Sequence, residues 1–160
     1  MSYNMIFDGV APQNFVYDLD DDYNVNPALT GETLVSCPDF DTTYNHDEYF
    51  DLVFCQVELV NPGASTPSGE WWKKDAKRNH GIFRLNGHTA EEQAEAFRRA
   101  IDALPDAAPE YDKFGFRKFG PELSKGILRA FLRITEWWLA HPEIREKYPE
   151  MTGTWRRRFG

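Results

Sequence analysis

No lysine or arginine occurs before Lys73. Residues 1–72 hold thirteen aspartates and glutamates and so carry −13, whereas residues 73–160 hold thirteen acidic and eighteen basic residues, or +5. The net charge of −8 therefore averages two unlike parts. The first part cannot neutralise itself. Its carboxylates must be hydrated, matched by cations of the second part, or directed at something outside the chain. Two like charges about 10 Å apart in water repel by roughly 0.4 kcal/mol before salt screening, so holding many of them together carries a standing cost. If the two parts do not fold through one another, the molecule is expected to be electrically two-ended.

The rest of the composition sets the class. A chain of 160 residues hides about 69% of its unfolded surface on folding, enough for one core without disulfide staples. Cys37 and Cys55 are too few for a disulfide scaffold or a four-thiolate zinc site, and they suit a reducing compartment. No run approaches the roughly 18 apolar residues of a membrane span, and the opening MSYNMIFDGV has neither a basic nor an apolar leader region. The expectation is a cytoplasmic protein that does not enter a membrane.

Local patterns predict strands first and helices last. YNMIFDGV (3–10), NFVYDL (14–19) and ETLVSC (32–37) are short apolar runs, with the loop-like stretch DDDYNVNPALTG between the last two. DEYFDLVFCQVELV (47–60) alternates with both faces mostly apolar, which predicts a central strand buried on both sides. NPGASTPSG (61–69) reads as a loop or hinge just before the charge changes sign, and any subdivision of the single domain 1–160 falls there. HGIFRL (80–85) predicts one more strand. Thr89 with Glu92 forms a capping box for a helix carrying Phe97, Ile101 and Leu104 and ending at Pro105. A longer helix starts near Pro121, with Leu123, Ile127, Phe131, Ile134 and Trp138 on one face, and stops at His141-Pro142 before a short third helix, PEIREKY. The order predicts an α+β fold, a mostly antiparallel N-terminal sheet with two main C-terminal helices on one face.

Several motifs carry candidate chemistry. Asp39-Phe40-Asp41-Thr42-Thr43 is similar to the first motif of haloacid-dehalogenase-type phosphatases, in which the first aspartate would attack phosphorus and the second serve as acid or base. That family continues with alternating strands and helices, whereas strands continue here and Pro38 interrupts the approach, so the segment is expected to be an Asx-rich turn. DLDDDYNVN (18–26) offers oxygen ligands at alternate positions but lacks the glycine and glutamate of an EF-hand loop. His46, His80 and His88 show no metal-ligand spacing, and no metal or cofactor is expected. Ile82-Phe83-Arg84-Leu85-Asn86 and Phe114-Gly115-Phe116-Arg117-Lys118-Phe119 partly resemble the two stacking motifs of the RNA-recognition-motif family, which would set Phe83, Phe114 and Phe116 against bases. The interval PDAAPEYDK before the second is too short for the strand that family requires, and aromatic-basic packing around a turn is expected instead. Trp155-Arg156-Arg157-Arg158-Phe159 reads as a docking tail, for RNA, for a partner or for the chain's own acidic part.

The expected function follows from charge. A surface of carboxylates attracts a cationic groove and repels nucleic acid, so the expected partner is a protein that itself processes nucleic acid, engaged as by an inhibitor, an immunity factor or a DNA mimic. The candidate partner-binding residues are Asp18, Asp20, Asp21, Asp22, Asp39, Asp41, Asp47, Glu48 and Asp51, with Trp71 and Trp72 as aromatic anchors. No catalysis, no direct nucleic-acid binding and no membrane partner are expected. The alternative is a structural subunit whose oppositely charged parts contact its own copies, giving a homo-oligomer.

Overall fold

Tyr3, Met5 and Phe7 alternate with Asn4, Ile6 and Asp8, and this period of two builds strand β1 (Ser2–Asp8). In this computed structural model, which describes residues 2–13, 15, 33–50, 53, 85 and 87–158, β1 is the middle strand of a three-stranded sheet. On one side it pairs antiparallel with β4 (Asp39–Thr43), Ile6 opposite Asp39 and Asn4 opposite Asp41. On the other it pairs antiparallel with β5 (Thr154–Arg158), Ile6 opposite Arg156 and Met5 opposite Arg157. A second antiparallel pair joins β2 (Val10–Pro12) to β3 (Leu34–Ser36).

The two pairs are one ribbon broken by a bulge. Phe7 donates its N–H to Pro38 O at 3.1 Å and Cys37 donates to Gly9 O at 2.8 Å, so the register slips by one residue between them. Gly9 is required there, since a Cβ on it would lie 2.6 Å from the Phe7 ring. Past the bulge, Val10 and Ala11 are both fully buried, which strict alternation would forbid.

A tight turn at Tyr44–His46 leads into α1 (Asp47–Phe50). Helix α2 (Ala90–Ala103) starts on the expected capping box: Glu92 donates its N–H to Thr89 Oγ1 at 3.2 Å, and Thr89 returns its N–H to Glu92 Oε1 at 3.4 Å. Its C-terminal end is closed by Lys125, whose ammonium donates to Leu104 O at 3.0 Å and pairs with Asp106 at 3.2 Å. That ammonium holds the Asp106 carboxyl below the ordinary aspartate value. Helix α3 (Pro121–Ala140) buries Ile127, Phe131, Ile134 and Trp138 as its spacing predicts, and α4 (Pro142–Lys147) follows the His141-Pro142 break. Helices α2 and α3 lie together over one face of the sheet. The fold is α+β, with antiparallel pairing at the N-terminus and the two main helices in the C-terminal part.

Trp155 is where these layers meet. Its ring lies 4.3 Å from that of Phe131, 5.1 Å from Phe7 and 5.5 Å from Phe40, measured between centroids. Its indole N–H donates to Thr135 Oγ1 at 2.8 Å, and the Thr135 hydroxyl donates in turn to Phe131 O at 3.0 Å. Gln93, wholly buried on α2, treats the Trp155 backbone as a neighbouring strand would. Its Oε1 accepts the Trp155 N–H at 2.6 Å and its Nε2 donates to Trp155 O at 2.8 Å and to Leu85 O at 2.7 Å. One side-chain amide thus satisfies three buried main-chain groups. Just before β5, Gly153 adopts φ +70°, and a Cβ there would run into the Trp138 indole.

Four sequence expectations are corrected. Residues 47–50 form a helix, not the start of a strand: Phe50 and Val53, three apart, are both fully buried, and that spacing suits a helical face rather than alternation. Apart from Val53, the remainder of the 47–60 segment, the 61–69 hinge and all of 80–84 lie outside the described residues. Residues 39–43 form strand β4 rather than an Asx-rich turn, because Phe40 and Thr42 point into the core while Asp39 and Asp41 alternate outward. The run Trp155–Arg158 is a strand rather than a tail, and of the docking partners expected for it the structure shows the chain's own acidic part, through β1 and Asp47. Finally, the two halves do fold through one another, since β1 hydrogen-bonds to β4 from the acidic part and to β5 from the basic part. Of NFVYDL only Phe15 is described; it has helical backbone and lies 3.8 Å under the Arg133 guanidinium.

Replacing Gln93 with Leu leaves three buried main-chain groups unpaired and is expected to cost about 2–4 kcal/mol in a urea titration, whereas a loss within about 0.5 kcal/mol would show the clamp to be dispensable. His46 supplies a second expectation. It is fully buried, shares a 2.7 Å hydrogen bond with Ser124 Oγ, and burial lowers its pKa to about 4. The unfolded chain takes up this proton near pH 6.5 and the folded chain only near 4, so stability falls as pH drops through that window, by about 3 kcal/mol in all. Denaturation midpoints followed from pH 7 to 4 should fall more steeply for the native chain than for His46→Gln.

Candidate functional site

The face of the sheet turned away from the helices is polar and ordered by strand. Asp39 and Asp41 stand exposed on β4, Asn4 and Ile6 lie beside them on β1, and Arg156 is exposed on β5 across from Ile6. Asn4 donates its side-chain N–H to Asp39 Oδ2 at 3.2 Å, fixing that carboxylate in an outward pose. Asp39 and Arg156 form opposite walls of a shallow cleft floored by Ile6 and closed at one end by Asp8, Cys37 and Thr154. Asp8 is committed to structure: Thr152 donates to it from both its N–H, at 3.1 Å, and its hydroxyl, at 2.7 Å.

The structure separates the expected site residues. Asp39 and Asp41 are brought together on one exposed strand. Asp47 is on the helix-covered side, where Arg157 reaches it at 3.4 Å while lying 3.7 Å over the Tyr3 ring, so this carboxylate is matched by a cation of the basic part. Glu48 lies on α1 beside it. Asp18, Asp20, Asp21, Asp22, Asp51, Trp71 and Trp72 lie outside the described residues.

A second surface was only half visible in the sequence. Residues 110–118 fold back on themselves: Lys118 donates its N–H to Glu110 O, Asp112 donates to Phe116 O, both at 2.8 Å, and Tyr111 bridges to Arg117. The tip is locked by Asp112, whose Oδ1 accepts the N–H groups of Phe114 at 2.8 Å and Phe116 at 2.9 Å, with Gly115 at φ +83° completing the turn. This arrangement holds Phe114, Phe116 and Tyr111 out in solvent, 73%, 71% and 63% exposed. Of the aromatic-basic packing expected around this turn, Lys113 over Phe114 is present, while Phe116 and Tyr111 stand out in solvent. The i, i+2 spacing of Phe114 and Phe116 was legible, but it resembled a base-stacking strand; the Asp-x-x-Gly turn chemistry at Asp112 and Gly115 is the signal that marks a projecting loop.

Two of the hairpin's three basic residues are matched by nearby carboxylates. Arg117 pairs with Glu122 at 3.3 Å and Lys118 reaches Glu110 at 4.0 Å, leaving Lys113 at the tip, folded 5.1 Å over the Phe114 ring. Elsewhere, His46 and Ser124 have the chemistry of a base and a nucleophile, but both are fully buried and His46 is stacked on Phe50 at 5.4 Å, closing the pair to any substrate. Among the described residues no group of three His, Cys, Asp or Glu side chains is placed to hold a metal ion.

Asp112→Ala is expected to free the tip without harming the core. Hydrogen exchange at the Phe114 and Phe116 amides should accelerate severalfold while the melting temperature stays within about 2 °C; unchanged exchange would show that another group fixes the turn. No family model, curated protein or solved structure matches the chain, and its function is read from these surfaces.

Proposed function

We propose that this chain is a non-enzymatic binding protein whose acidic N-terminal part engages a basic surface on a nucleic-acid-processing protein, in the manner of an inhibitor, an immunity factor or a DNA mimic. The observation that carries this reading is the pair Asp39 and Asp41, exposed side by side on a strand of the cation-free stretch. Two residues of extended strand separate them by about 7 Å on a rigid backbone, a charge spacing of the order of that between phosphates on one nucleic-acid strand. A sheet presents such charges at fixed intervals, which a hydrated loop does not. Binding would use them to steer a cationic groove into place.

A second reading has its own support. Asp39 and Arg156 face the same way on the two outer strands of β4-β1-β5, so a single face carries both signs and suits charge-complementary contact with another copy of the chain. Sedimentation at low and high salt separates the two, because assembly through this face dissolves as salt rises, whereas a chain that serves an external partner stays a monomer throughout.

The decisive variant is Asp39→Lys with Asp41→Lys. Both side chains are exposed, so the fold is expected to tolerate the change, with a melting temperature within about 3 °C of the native chain. A nucleic-acid-processing protein captured from the native host and then purified should bind the variant at least about tenfold more weakly at low salt. Equal affinity for both chains would reject the acidic strand as the contact.

A further inference from the structure

The outward face of the sheet holds two opposite charges that do not meet. Ile6 on β1 pairs with Asp39 on one side and with Arg156 on the other, so the three residues form one row across β4-β1-β5. Residues in such a row project from the same face. Asp39 and Arg156 are both exposed, and the strand between them keeps their backbones about 9.6 Å apart, two interstrand spacings. Among the described residues Arg156 has no carboxylate partner, and Asp39 takes its hydrogen bond from the neutral Asn4 amide rather than from a cation.

The cleft between these two walls has a volume of about 470 Å³, within the range of small-molecule sites, and buried Ile6 forms its floor. Its frame is held in place: Asn4 fixes the Asp39 carboxylate at 3.2 Å, and Cys37 at the closed end donates its N–H to Gly9 O at 2.8 Å. A simple cation would suit Asp39 but be repelled by Arg156, and a simple anion the reverse. A molecule carrying both charges satisfies both walls. Hydrogen bonds of about 3 Å at each wall require the ligand's own charges to stand about 4–10 Å apart. An α-amino acid bears both charges on one carbon and is too short, whereas two residues of extended peptide span about 7 Å. The lining as a whole sets two carboxylates, Asp8 and Asp39, against one guanidinium, which turns away ligands of net negative charge.

We propose that this cleft binds a short zwitterionic peptide of dipeptide size, its terminal ammonium on Asp39, its terminal carboxylate on Arg156 and its middle lying across Ile6. The site does not rest on the acidic-strand reading, because it needs Arg156, which that contact does not use.

Titrating glycyl-leucine into the isotope-labelled full chain tests this. Amide resonances of Ile6, Asp39 and Arg156 should shift saturably, with a dissociation constant on the order of 1 mM. N-acetyl-glycyl-leucine, which lacks the ammonium, and glycyl-leucinamide, which lacks the carboxylate, should each bind about three- to fivefold more weakly, and free leucine should not bind. Arg156→Gln should bind the amide as well as the free acid, and Asp39→Asn should bind the acetylated peptide as well as the free amine, because each variant removes the group that told the two apart. Both side chains are exposed, so the thermal melt is expected to stay unchanged. Saturating glycyl-leucine should also slow alkylation of Cys37 severalfold, followed on the chymotryptic peptide that contains it. Arg156→Gln leaves Asp39 and Asp41 in place, so loss of dipeptide binding with unchanged affinity for a nucleic-acid-processing partner separates this site from the acidic contact. Resonances that do not move up to about 20 mM dipeptide overturn the proposal. So do blocked peptides or leucine that bind as well as glycyl-leucine, and shifts confined to another surface.

Discussion

Everything described here hangs on the environment of Trp155. A strand at the side of a small sheet exposes a row of main-chain groups that must find partners, and burying them without partners would cost about 1–3 kcal/mol each. The chain meets this with one glutamine. Gln93 sits on the buried side of α2 and offers a peptide-like amide to β5, so the helix substitutes for a strand. The indole on the same residue reaches α3 through Thr135, and its ring fills the space between Phe7, Phe40 and Phe131. Sheet, α2 and α3 are thereby tied at a single residue, by polar contacts that fix position and apolar ones that supply most of the free energy.

The charge distribution looks different once this is known. A cation-free stretch suggests an acidic lobe, yet β1 threads between an acidic strand and a basic one, and Arg157 reaches Asp47 on the covered side. The sheet converts a separation along the sequence into a separation across a face: carboxylates on β4, guanidinium on β5, and between them a strand whose one charge, Asp8, is held at its end by Thr152. The proposed uses of that face depend on this transverse arrangement. The hairpin, by contrast, neutralises two of its three basic residues locally and displays aromatic rings.

How much of this the sequence disclosed varies with the range of the interaction that decides each element. The helices were legible because their signals are local: Thr89 and Glu92 define one start, Pro121 another, and Phe131, Ile134 and Trp138 mark a face by spacing alone. Residues 39–43 were not, since Asp-rich composition suggests a turn and only pairing with β1 makes the segment a strand. The same holds for Trp155–Arg158, whose arginines resemble a solvated tail until the partner strand at the other end of the chain is in place. For Asp47 and Phe50, alternation and helical spacing coincide over so few residues that tertiary contact with α3 decides. At the candidate site, the exposure of Asp39 and Asp41 follows from the inward turn of Phe40 and Thr42, which depends on the sheet rather than on neighbours in sequence.

The pairing of β1 with β5 has a consequence for how the molecule comes into being. Asn4 faces Arg158, so the middle strand of the sheet waits for almost the last residues described before one of its sides is closed. Loop-closure entropy must be met across nearly the full contour of the chain before that ladder can form, and topologies dominated by such distant partners fold slowly. During synthesis on a ribosome, Tyr3, Met5 and Phe7 emerge long before Trp155 and stay uncovered in the interval. A helical hairpin of α2 and α3 can form from neighbouring sequence in the meantime, leaving the sheet as the late event that commits the molecule to its native state.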